Sequence, residues 1–171
     1  MTTPAHIAFS YLLSQSLSLF GRYPTTSETL AIMVAGNIFD IDYIIGRFLG
    51  IKGDSHHNFI THTPIFIITI WLIGLIFFSH YFDHLIWIMI LVSALIHLIL
   101  DNASYWFSKL GWQQISKYPQ INWFYPLTPF LKRKQQKDSR SFIEVYLSET
   151  KINLVLEMFL TTSAILFYIY F

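Results

Sequence analysis

Histidine and aspartate recur in this chain in a few short patterns whose spacing suits a divalent metal ion. The most specific is His97-Leu98-Ile99-Leu100-Asp101. On a helix, an i,i+4 spacing stacks two side chains on one face, the geometry from which a helix gives two ligands to one ion. His97 also interrupts an apolar run, where an ionisable group is expensive and is usually kept for function. His57 and His62 stand just before Thr63-Pro64, a helix start whose free N–H groups also suit an anion. Asp40-Ile41-Asp42 is weaker alone, because aspartates that follow a helix are more often simply solvated. In an extended segment its two carboxylates face one way, whereas on a helix they diverge. His6 is uninformative by itself, and Glu157 is open between a site acid and a snorkelling one. His56 is read as a neighbour without a role, and His80 and His84 as interfacial.

Cysteine is absent, so thiolate ligands and disulfides are excluded. Imidazole with carboxylate suits zinc, manganese or iron(II). Two ions sharing an aspartate would suit phosphate-ester hydrolysis, since they lower the pKa of bound water and clamp the attacking and leaving oxygens.

These residues must be positioned by elements with little charge. The chain has 171 residues, enough for one compact domain, and is 54% hydrophobic but only 12% charged. A soluble domain carries about 25% charged residues, so lipid rather than water is expected around much of the surface. The net charge of +1 gives no general drive toward nucleic acid. No basic region precedes the first apolar stretch, so that stretch is expected to stay as a helix.

Five apolar segments follow, at about 5–20, 28–39, 65–78, 85–100 and 152–171. Thr25, Thr26 and Ser27 offer N-caps to the second, and Thr63 with Pro64 starts the third. The first two are short against the roughly 20 residues that a bilayer needs, so they are allowed as a shallow hairpin. The expected fold is an all-α integral membrane helical bundle of about five helices, three to five of them spanning. It forms a single domain over 1–171 with a polar loop at about 108–151.

Orientation follows from the basic residues. With the N-terminus in the cytoplasm, the outer turns at about 21–28 and 79–84 contain only Arg22. The inner loops hold Arg47, Lys52, Lys109, Lys117, Lys132, Arg133, Lys134, Lys137, Arg140 and Lys151. That asymmetry sets the direction. Lys132 to Lys134 then belongs to a cytoplasmic loop near anionic lipid rather than to a nucleic-acid patch. The same topology brings His6, Asp40, Asp42, His57, His62, His97, Asp101 and Glu157 to the cytoplasmic side.

The order His6, Asp40-Ile41-Asp42, His57-x4-His62-Thr63, His97-x3-Asp101 and Trp123-Phe124-Tyr125-Pro126 resembles the YdjM-like membrane-bound metal-dependent hydrolases. That family is thought to be distantly related to zinc-dependent phospholipase C and P1-type nucleases. The resemblance spans about positions 6 to 157. It implies His6, Asp40 or Asp42, His57, His62, His97 and Asp101 as metal ligands or near-ligands, with Glu157 a less secure match. The family's usual proline before the first aspartate is Phe39 here, its histidine after the second is Tyr43, and its arginine after the first of the paired histidines is Asn58. No second His-x3-Glu element follows His97, which favours one or two ions over three.

Taken together, these expectations describe a hydrolase of phosphoesters in the bacterial inner membrane, its site cytoplasmic at the depth of lipid headgroups. Zinc is the first choice of metal, with manganese or iron as alternatives. Asp42 and Asp101 are the catalytic candidates, Asp42 as a base if it is not a ligand. Membrane lipids are the expected partners, a phospholipid or other phosphoester the substrate, and nucleic acid is disfavoured. One rival is a metal-binding or transport protein without turnover. Another is an anchor whose loop from Lys132 to Arg140 recruits a soluble partner.

Overall fold

The computed structural model describes residues 3–42, 60–110, 121–127 and 151–170. His57 lies outside these residues, as do Tyr43, Asn58 and the basic run 132–140. Every element described is helical: α1 (Thr3–Gln15), α2 (Thr26–Ala35), α3 (Pro64–Phe78), α4 (His84–Asp101), the short α5 (Ala103–Lys109) and α6 (Lys151–Tyr170). No strand occurs among the described residues.

Local chemistry sets the ends. Thr25 caps α2 with a reciprocal box, Glu28 N–H donating to Thr25 Oγ1 at 3.3 Å and Thr25 N–H to Glu28 Oε2 at 2.7 Å. Thr63 caps α3 ahead of Pro64, and Asp83 caps α4 by accepting from Ile86 N–H at 3.0 Å. The first segment does not stay α-helical to Phe20 as expected. It tightens into a 3-10 helix over Ser16–Phe20, closed by Gly21 at φ 73°. Ser14, Ser16 and Ser18 each donate to the carbonyl three residues back, at 2.7, 2.6 and 2.7 Å, which favours the tighter turn. Gly21 supplies the left-handed conformation without a Cβ penalty. α2 likewise ends earlier than expected, at Ala35, where Asn37 Nδ2 donates to Met33 O at 2.7 Å. The chain then makes a 3-10 turn over Ile38–Asp40 and continues helically through Asp42, so the Asp-x-Asp pair is not extended, and its carboxylates meet the two different ring nitrogens of His62.

Three apolar clusters join the helices. Ala5 and Ala8 of α1 meet Leu160 and Ala164 of α6. Ile67 of α3 meets Ala94 and Leu98 of α4 with Ile121, and Leu17, Ile32 and Ile86 close the opposite end of α1, α2 and α4. Trp71 Nε1 adds a bond to Trp87 O at 2.7 Å between α3 and α4.

Among the described residues the surface is more apolar than this interior. Ile76, Phe77, Phe159 and Tyr168 are all more than 60% exposed, while Ser10, Ser14, His97 and Asp101 are buried. Such an inversion suits lipid, since exposed apolar faces this broad are rare on soluble proteins. By length and composition one described helix, His84–Asp101, is long and apolar enough to cross a membrane. Its 18 residues reach about 27 Å, close to the roughly 30 Å hydrocarbon core. Pro64–Phe78 and Thr26–Ala35 are shorter apolar helices.

Candidate metal centre

The antiparallel run of the helices brings the start of α3 beside the ends of α2 and α4. The turn after α2 supplies Asp40, the 3-10 turn Ile60–His62 supplies His62, and the last turns of α4 supply His97 and Asp101. One donor atom from each of the four lies within 4.8 Å of every other. His97 Nε2 is 3.2 Å from Asp101 Oδ2, 3.4 Å from Asp40 Oδ1 and 3.5 Å from His62 Nε2. His62 Nε2 is 3.7 Å from Asp101 Oδ2 and 3.9 Å from Asp40 Oδ1. An ion at ~2.0–2.1 Å from four tetrahedral donors holds them about 3.3–3.4 Å apart, so these five spacings lie near that value, and Asp40 and Asp101, within 4.8 Å of each other, would close around an ion.

The ring nitrogens are prepared for that role. His97 Nδ1 lies 2.9 Å from the Gly36 carbonyl, which can only accept, so the proton sits on Nδ1 and the Nε2 lone pair faces the cluster. His62 Nδ1 lies 2.8 Å from Asp42 Oδ2, and Thr61 Oγ1 donates to the same oxygen. A carboxylate behind a ligating histidine fixes its tautomer and raises its basicity. Asp42 is therefore set behind His62 rather than among the four donors.

Charge makes the same point. Two carboxylates with two neutral imidazoles carry two negative charges, three of the four side chains being almost wholly buried and Asp40 23% exposed. A divalent cation balances that set. Without one, a proton must serve. Burial works against a charge on His62, but Asp40 and Asp42 on either side of the ring outweigh it and raise its pKa to about 9. Burial likewise opposes the charge on Asp40, yet His62 and His97 hold its carboxyl below the usual range.

The other expected residues fall around this core. His6 Nε2 bonds Asp101 Oδ1, the oxygen turned away from the four donors, at 2.9 Å. Glu157 is buried on α6 but is not one of the four. His84 begins α4, about 20 Å along the helix from His97, at the end where Arg22 bridges Glu28 and Asp83 at 2.5 Å each. Sequence reasoning passed over the Gly36 carbonyl, Thr61, and the contact of Ser10 Oγ with Ser93 Oγ at 2.9 Å. A signal for the last was present: His6, Ser10 and Ser14 repeat at i,i+4, as do Ser93, His97 and Asp101, and all six are buried.

No curated protein and no solved structure matches the chain. A family model matches it over residues 1–171, and on that match the chain belongs to the YdjM inner membrane protein family.

Proposed function

We propose that this is a membrane-embedded, metal-dependent hydrolase of phosphoesters whose site faces the cytoplasm at the depth of lipid headgroups. The observation that carries it is the set His62, His97, Asp40 and Asp101, converging from three elements with Nε2 of both histidines turned inward. Oxygen and nitrogen donors without thiolate leave a divalent ion able to polarise a phosphoryl oxygen and activate water. Asp40, the one partly exposed donor, marks the side from which water and substrate would enter. An ion of five or six ligands, such as manganese or iron(II), or zinc expanded to five, keeps a position open beside these four. We read the chain as one domain over 1–171, a bundle of about five helices, three to five of them spanning, with the N-terminus inside.

A second reading has an observation in its favour. Four protein donors can close a tetrahedral zinc site, and closed sites bind without catalysing. Such a protein would hold or pass an ion and turn nothing over. The two readings separate in one experiment with detergent-purified protein loaded with zinc or manganese. Phosphate or phosphomonoester release from phospholipids and generic phosphodiesters is expected, and a chelator or Asp101→Ala should each abolish it. Wild type with metal fully bound but silent on every substrate would leave the ion-binding reading standing.

A further inference from the structure

His6 and Asp101 are 95 positions apart, yet His6 Nε2 reaches Asp101 Oδ1 at 2.9 Å with both side chains buried. The two oxygens of Asp101 are thereby divided. Oδ1 faces His6, while Oδ2 faces His97 at 3.2 Å and His62 at 3.7 Å. A carboxylate oxygen accepts, so Nε2 of a neutral His6 carries the proton and is not available as a metal donor. The His6 ring also packs on that of His97, centroids 4.2 Å apart and planes tilted 38°, which limits its freedom to turn. Its Nδ1 is buried with no hydrogen-bond partner among the described residues.

Building on the metal reading above, we propose that His6 is a positioning residue and not a ligand: from α1 it holds Asp101 at the end of α4 so that Oδ2 faces the ion. The family resemblance leaves His6 open between ligand and near-ligand. The division of the carboxylate gives His6 the place that an outer partner takes in carboxylate-bearing metal sites, where its loss weakens binding but leaves the donor set intact. It also makes the seating of α1 a condition of tight metal binding, since that helix carries His6 to Asp101 Oδ1.

The test is zinc K-edge X-ray absorption on the full-length, detergent-purified protein, with zinc affinity measured by competition against a chelating dye. The number of imidazoles per zinc should be the same in wild type, His6→Ala and His6→Gln, and should fall by one in the small zinc-bound fraction of His97→Ala. Affinity should drop about 10–100-fold in His6→Ala. His6→Gln should recover most of it, because its amide can donate to Oδ1. Loss of one imidazole in His6→Ala or His6→Gln overturns the inference while leaving the metal site standing. So does His6→Gln as weak as His6→Ala at equal thermal stability. A wild type that takes up no zinc, manganese or iron(II) removes the metal reading and this inference with it.

Discussion

The two histidines of the cluster differ in what stands behind them. His97 is backed by a neutral carbonyl and His62 by a carboxylate, so on the metal reading His62 is a site where a proton competes with the ion. With its pKa raised to about 9, His62 is protonated at neutral pH before metal arrives. Metal must displace that proton, so affinity should rise as pH rises toward 9 and level off above it. Calorimetry in buffers of different ionisation enthalpy should show close to one proton released from this group per ion at pH 7, and none near pH 10. Asp42→Asn should lower affinity about 10–100-fold with no ligand lost. An unchanged affinity would mean that Asp42 does not act through His62. Both aspartates of Asp40-Ile41-Asp42 were legible as site candidates, but not their division of labour. Residues two apart are told from each other only by the turn that carries them, and that turn is helical rather than extended.

At the scale of elements, the centre depends on how closely α2 approaches α1 and α4. A Cβ at Gly36 would overlap Ser10 Oγ and come within 2.5 Å of Ser93 Oγ, so any larger residue must displace these hydroxyls for this carbonyl to stay at His97. Gly36→Ala should destabilise the protein by about 1–3 kcal/mol through overpacking and should weaken metal binding. Adding Ser10→Ala and Ser93→Ala removes the two hydroxyls in the way and should restore part of both, read by thermal melting and metal competition. A triple variant no better than Gly36→Ala would place the role of Gly36 elsewhere. Helix starts such as Thr63-Pro64 could be read from sequence because a cap is local. The 3-10 end of the first segment and the pairing of His6 with Asp101 could not. The first depends on serine hydroxyls choosing near carbonyls, the second on two helices meeting across 95 positions.

At the scale of the molecule, buried polar groups share the space between the described helices with apolar clusters, broad apolar faces lie outside, and the candidate site is at one end with the Arg22–Glu28–Asp83 ion pairs at the other. The Arg22 guanidinium beside Asp83 holds that carboxyl below its usual range, in keeping with a solvated turn. The basic residues predict which end is inside. Cysteines at Thr2 and Asp138 should resist an impermeant reagent in intact cells, whereas one at the exposed His80 should label. Labelling at Asp138 from outside would reverse the orientation. The central claim is that His62, His97, Asp40 and Asp101 hold one metal ion. Its most direct test is elemental analysis of the purified protein after loading with zinc, manganese or iron(II) and removal of free ion. Wild type and His84→Ala should retain metal, while His62→Ala, His97→Ala and Asp101→Ala should each lose most of it and remain folded. Full retention by a folded His97→Ala, or none by wild type, would contradict the account.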